Sequence, residues 1–184
     1  MILWRLLFLC SALLLVAALL LRGWFGKRGF VQFGVRTCEA NPERWKSWAG
    51  EPLPKNSDAE TLGRELRRVA LKRWSEMDPK AARAREAARR FGFAVPPLTI
   101  VTLVFAVMLA KLQLFGALAI GLGAIALSAA MGLLSIGAEL RAVAHAAGEL
   151  RGLRVFRRVD DEEAVIACAQ AAVWMAALPP ILGK

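Results

Sequence analysis

The fold is decided by residues 91–138, which read FGFAVPPLTIVTLVFAVMLA, then Lys111, then LQLFGALAIGLGAIALSAAMGLLSIGA. The two runs on either side of the lysine contain no charged side chain and are 20 and 27 residues long. A helix of roughly 20 apolar residues crosses the hydrocarbon core of a bilayer, so each run is long enough to span a membrane. The pattern predicts a transmembrane hairpin that turns at residues 110–115.

Composition extends this prediction to the whole chain. The 184 residues are 57% hydrophobic, and the apolar residues are collected in blocks rather than spread periodically. Because lipid offers backbone groups no hydrogen bonds, such blocks are expected to be helices. We predict an all-α polytopic membrane protein with about four spans. Its parts are an N-terminal span, a basic loop, the hairpin, a helical connection and a C-terminal span, at residues 1–22, 23–90, 91–138, 139–163 and 164–184.

Positive charge predicts the orientation. Residues 22–90 carry 17 Lys and Arg against 9 Asp and Glu, and residues 141–158 carry five arginines. Placing both segments in the cytoplasm satisfies the positive-inside rule and leaves both termini outside. The flank after the first block is more basic than the flank before it, so we expect an uncleaved first span. Anionic lipid headgroups are the expected partner of the basic loop, and nucleic acid is not needed to explain its charge.

The basic loop divides at about residue 57. Residues 23–55 show no clear period and are predicted to be irregular, lying against the headgroups. An amphipathic helix is predicted at about 58–77, with Ser57 and Glu60 as a capping box. Its polar face is expected to hold Arg64, Arg67, Arg68, Lys72 and Arg73.

A second helix in the loop is predicted at 79–90, with Pro79 at its first position. Further on, Pro96 and Pro97 are tolerable inside the second span if neighbouring groups satisfy the carbonyls that prolines leave free. Pairs of small residues four apart favour close helix packing in a bundle and association with a membrane-protein partner or a second copy. These pairs are Ala117/Gly121, Ser128/Gly132, Ala167/Ala171 and Ala172/Ala176.

Few side chains are candidates for chemistry. His145 is the only histidine, and its spacing from Glu139, Arg141 and Glu149 suggests one shared helix face. It could ligate a metal or haem, or it could be an exposed, ion-paired histidine. The three cysteines have no metal-ligand spacing. No nucleophile motif or phosphate-binding loop is present, so we expect no cofactor.

Five short segments in the second half of the chain carry a family resemblance. They read SAAM at 128–131, AELRA at 138–142, AAGEL at 146–150, DEEAV at 161–165 and AAVWMAAL at 171–178. Together they resemble the C-terminal half of bacterial membrane zinc metallopeptidases of the YugP type. The resemblance implies a bacterial inner-membrane protein with an N-terminal span, an inner domain and a hairpin.

The chain departs from that family at its catalytic motif. The family uses a His-Glu-x-x-His helix, in which two imidazoles hold zinc and the glutamate activates water. The nearest match here is Arg64-Glu65-Leu66-Arg67-Arg68, and arginine cannot ligate zinc. On this alignment Arg64, Glu65 and Arg68 are degenerate metal-site positions, and Glu139 falls where a further acidic ligand is expected. Alternatively, this helix matches a non-catalytic helix of the family and the metal core is deleted.

Both alignments predict no zinc peptidase activity. The leading hypothesis is therefore a non-catalytic membrane protein that acts as a scaffold, regulator or accessory subunit. One alternative is an active zinc metallopeptidase with an atypical site at Glu65, Glu139 or His145. The other is a pigment- or haem-associated accessory subunit with His145 as axial ligand.

Overall fold

The computed structural model describes residues 2–54, 57–109 and 112–177. The described residues are overwhelmingly helical, which confirms the all-α class. The helices are α1 (Ile2–Leu21), a π-helical segment (Arg22–Lys27), α2 (Arg28–Phe33), α3 (Pro42–Ala49), α4 (Ala59–Met77), α5 (Pro79–Met108), α6 (Leu114–Leu153) and α7 (Val159–Ala177).

Within the described residues, three helical stretches are long and apolar enough to cross a membrane. They are Ile2–Phe33, Pro79–Met108 and Leu114–Leu153. The first three predicted spans lie in these three stretches. The fourth stays a prediction, since α7 is not among them and residues 178–183 lie outside the described part. The predicted hairpin turn also falls partly outside it, at residues 110 and 111.

The chain divides into two compact units. Unit 1 contains, among the described residues, 2–21, 83–109, 112–135 and 177. Unit 2 contains Arg22–Ala82 and Ile136–Ala176, apart from residues 55 and 56. The uncharged runs thus supply most of unit 1, and the basic segments supply most of unit 2.

Unit 1 is built from α1 and the apolar parts of α5 and α6. Leu15 and Ala18 of α1 form a buried cluster with Ala126 and Ala129 of α6. Both prolines lie inside α5, and the Ser128 hydroxyl donates to the Gly92 carbonyl. That carbonyl lies four residues before Pro96, so it is the one whose helical partner the proline removes. The predicted condition for a tolerated proline is therefore met at Gly92.

The expectation that residues 23–55 are irregular was wrong. The π-helical segment and α2 continue α1, and α3 follows after a short extended segment. Local signals for α3 were present: Asn41 caps its N-terminus, Pro42 takes its first position, and Gly50 ends it in the left-handed conformation. The π-helical segment and α2 show no apolar period in the sequence. Glycines, rather than large apolar residues, lie on the side of these two elements that packs inward.

The predicted helices of the basic loop were placed correctly; the second begins at Pro79 with Asp78 accepting from the Ala81 amide, but the first was capped one residue too early. Helix α4 begins at Ala59, and its cap is Asp58, whose carboxylate accepts from the Thr61 amide at 3.0 Å. The Ser57 and Glu60 capping box was therefore wrong. The predicted helix at 79–90 and the second span form one continuous helix, α5.

Unit 2 packs around α7, whose inner face is lined by alanines. Its first turn carries Asp160, Asp161 and Glu162, as the acidic cluster before the apolar run suggests. A Cβ placed on Gly29 would lie 2.8 Å from the Cβ of Ala171, and one on Gly63 would lie 2.6 Å from the Cβ of Cys168. The small residues of α7 thus allow α2 and α4 to approach it closely.

Candidate functional site

The central feature of unit 2 is an ion pair between α4 and α6. The Arg67 guanidinium donates to Oε2 of Glu139 through Nε at 3.0 Å and Nη2 at 2.5 Å. The side chains are 16% and 5% exposed, respectively. Glu139 is thus a carboxylate held inside the unit by a guanidinium. Breaking such a buried pair by removing one partner costs about 3–5 kcal/mol.

The position of Arg67 corrects the sequence interpretation of α4. Arg67 was placed on the solvent face with the other basic residues, but it points inward, one helical turn after the buried Gly63. Contact with α7 at Gly63 decides which side of α4 is inside, and the sequence pattern does not report that contact. Arg67 directly follows Leu66, whose side chain is completely buried.

The degenerate metal-site positions on α4, Arg64, Glu65 and Arg68, form ion pairs with residues other than Glu139. Arg64 pairs with Glu60 one turn earlier, at 2.6 Å. Arg68 pairs with Glu65 at 2.7 Å and also binds Glu51. These partners are partly exposed: Glu60 and Glu65 lie on α4 and Glu51 lies before it, whereas Glu139 is reached from α4 by Arg67.

The donor set beside Glu139 does not fit a zinc ion. A guanidinium cannot ligate a metal, and here it occupies the carboxylate that would have served as ligand. Among residues 2–54, 57–109 and 112–177, no group of three or more His, Cys, Asp and Glu side chains is arranged to hold a metal ion.

His145 lies on the outside of α6. Its side chain is 62% exposed, and Nδ1 lies 3.5 Å from Oε1 of Glu149. Glu139 is buried, so the expected common face of Glu139, Arg141, His145 and Glu149 was wrong for Glu139. Six residues separate Glu139 from His145, which is not a whole number of helical turns.

Glu149 joins three helices of unit 2. It accepts from the indole Nε1 of Trp48 on α3 at 2.9 Å and from the Arg73 guanidinium on α4. Arg73 also donates to the Trp48 carbonyl and stacks over its ring at 5.0 Å. His145 thus belongs to a polar cluster that ties α3 and α4 to α6.

Asp161 is a second buried carboxylate, and from the sequence its only predicted role is at a helix N-terminus. Its Oδ1 accepts from Nε of Arg36 at 3.0 Å and lies 2.9 Å from Nη2 of the same guanidinium, and its Oδ2 accepts from the Glu39 amide at 3.2 Å. Its side chain is 3% exposed. Asp161 therefore anchors the extended segment after α2 to the start of α7.

Comparison with known proteins adds no relative: no family model, no curated protein and no solved structure matches this chain.

Proposed function

We propose that the chain is a non-catalytic integral membrane protein, similar to zinc metallopeptidases but lacking their metal ligands. In this proposal it serves as a scaffold, regulator or accessory subunit of a membrane complex. The observation that supports it best is the Arg67–Glu139 pair. At the position where the family resemblance calls for an acidic ligand, the buried carboxylate is bound by a guanidinium from α4.

The proposal includes a cytoplasmic location for the basic segments, in the inner membrane of a bacterium. Trp24 is 63% exposed directly after α1, and the Arg28 guanidinium stacks over its ring at 4.9 Å. Tryptophan next to a cation is typical of the interface between lipid and water. Anionic headgroups would meet the basic segments there, and the partner is another membrane protein or a second copy of the chain.

The test separates a structural ion pair from a remnant of catalysis. If the pair is structural, Arg67→Met and Glu139→Leu should each destabilise unit 2 by about 3–5 kcal/mol, because each removes one side of a buried, hydrogen-bonded ion pair. The double variant should recover most of that loss, since two apolar side chains of similar volume replace the pair. Unfolding of the purified full chain in detergent, followed by circular dichroism, measures all four proteins.

Two measurements on the unaltered protein complete the test. Zinc content after incubation with the metal is determined by mass spectrometry, and cleavage of a peptide library is monitored with and without a chelator. For the unfolding experiment, Arg64→Gln serves as the matched control, because it removes an exposed arginine of the same helix. Stoichiometric zinc together with chelator-sensitive cleavage that is lost in Glu65→Gln or Glu139→Gln would replace this proposal with the metallopeptidase alternative.

A further inference from the structure

Unit 2 contains a cavity at the C-terminal end of α6. It lies between the start of α3, the extended segment before it and the chain that leaves α6. Its volume is about 620 Å³, which is within the usual range for small-molecule sites. Val155, which is completely buried, and Leu53 supply part of its apolar wall.

The polar wall of the cavity is strongly basic. Arg44 comes from α3, Arg154 and Arg157 come from the segment after α6, and Glu39 is the one carboxylate among the described residues that line the cavity. Glu39 and Arg157 approach to 3.9 Å, with side chains that are 64% and 86% exposed. An exposed pair at that distance neutralises little. The cavity therefore has a surplus of about two positive charges, by formal count of these side chains.

One of the arginines is held in place by the backbone. Nη1 of Arg44 donates to the Arg154 carbonyl at 3.0 Å and to the Leu153 carbonyl at 3.4 Å. The amides at the start of α3 are not available to a ligand, since Oδ1 of Asn41 accepts from Glu43 and Arg44 at 3.0 and 3.1 Å. An anion in this cavity would be bound by guanidinium groups.

Arg154 carries an unusual backbone. Its φ is 47°, in the left-handed region, and it is the only described non-glycine residue with positive φ. Glycine is the usual residue where a helix ends in this conformation, because it has no Cβ to clash. An arginine at this position places a long cationic side chain on the cavity wall at a conformational cost. Such outliers cluster at ligand sites.

We propose that this cavity binds a phosphomonoester. A phosphomonoester carries a charge of about −1.5 to −2 at neutral pH, which matches the surplus, and its oxygens suit the guanidinium fork. A single carboxylate would supply half that charge. The apolar wall would contact the organic part of the ligand. The same chemistry occurs in soluble metabolites and in the headgroup of phosphatidic acid.

The test is calorimetric titration of the full-length protein in detergent with glycerol 3-phosphate at constant ionic strength. Arg157→Ala and Arg154→Gly should each weaken binding about tenfold, the loss expected for one charge-assisted hydrogen bond. Arg154→Gly should also raise the thermal unfolding midpoint, because glycine relieves the left-handed conformation. Weaker binding by a more stable protein cannot come from unfolding.

Arg141→Ala is the matched control, since it removes an exposed arginine of α6 outside the cavity and should leave binding unchanged. A parallel titration uses nanodiscs with and without phosphatidic acid. Binding there that depends on Arg154 and Arg157, without binding of the soluble ester, would make the lipid the source of the phosphate. The proposal is overturned if neither ligand binds, if succinate binds as tightly as the ester, or if the two arginine variants bind like the unaltered protein.

Discussion

A single side chain, that of Ser128, allows Pro96 to lie inside α5. Pro96 has no amide hydrogen, so the Gly92 carbonyl loses its helical donor, and the Ser128 hydroxyl from α6 takes over that bond. Gly92 allows this approach, because a Cβ there would lie 3.3 Å from Oγ of Ser128. An unsatisfied carbonyl in a segment of this hydrophobicity is costly, so the hydroxyl matters beyond its size.

Ser128→Ala should therefore destabilise the chain by about 1 kcal/mol, the usual scale of an interhelical hydrogen bond in lipid. Unfolding by sodium dodecyl sulfate in mixed micelles gives the free energy. Ser135→Ala is the control, since that hydroxyl donates to Gly132 of its own helix and its loss should cost less. In the Pro96→Ala background, where the amide returns, Ser128→Ala should also cost less; an equal cost in both backgrounds contradicts the explanation.

Cys38 is a buried thiol with backbone acceptors. Its Sγ lies 3.6 Å from the Arg36 carbonyl and 3.7 Å from the Asp161 carbonyl. Burial, with a smaller contribution from the Asp161 charge, raises the pKa of this thiol from 9.0 to about 11. The protonated thiol is a poor nucleophile, so Cys38 is expected to be structural rather than reactive.

Two observations would check this assignment. At pH 8 the folded protein should incorporate maleimide at Cys38 far more slowly than the detergent-denatured protein, as quantified by peptide mass spectrometry. The free energy of unfolding should fall as the pH rises from about 9 to about 11, because the unfolded thiol ionises in that window while the folded one stays protonated. Rapid labelling of the folded protein would contradict the raised pKa. Cys38→Ala should remove this part of the pH dependence.

At the scale of elements, unit 2 depends on helices that approach α7 closely. A Cβ on Gly63 of α4 would lie 2.6 Å from the Cβ of Cys168 and 2.7 Å from the backbone nitrogen of Ala169. The second contact is with backbone, which cannot rotate away. Glycine is therefore required in the middle of α4, although it is a poor helix former.

Gly63→Ala should destabilise the protein by about 1–3 kcal/mol, the usual cost of overpacking, in spite of the better helix propensity of alanine. Gly148→Ala is the matched control, because a Cβ at Gly148 in α6 would meet nothing within 4 Å. That variant should gain about 0.5–1 kcal/mol. Detergent unfolding compares the two, and a stabilising Gly63→Ala would show that α4 does not approach α7 as closely as described.

For the whole molecule, three helical stretches of sufficient length predict stable insertion in a bilayer. The chain should remain in the membrane fraction after an alkaline carbonate wash. Because basic segments favour the cytoplasmic side, trypsin should cut within 22–90 in inside-out vesicles and spare that segment in right-side-out vesicles. Release by carbonate would contradict integral insertion, and cleavage from the outside would contradict the proposed orientation.

The sequence alone determined the helical class, the apolar stretches that lie in α5 and α6, and the extent of α4. These features depend on the length of apolar runs and on local capping signals, because each backbone group in a helix finds its partner four residues away. The sequence also shows arginines, which cannot ligate zinc, at positions 64, 67 and 68 of α4. The sequence pattern wrongly predicted that Arg67 lies on the solvent-facing side of α4 and that Glu139 shares a helix face with His145.

Only the tertiary structure decided the partners of the buried charges. Arg67 and Glu139 are 72 residues apart in the chain, and Arg36 and Asp161 are 125 apart. Which side of α4 faces inward depends on the contact of Gly63 with α7, and a residue pattern does not report a contact between distant segments. For the same reason the left-handed Arg154, and the cavity it lines with Arg44 and Arg157, became visible only once the helices were packed.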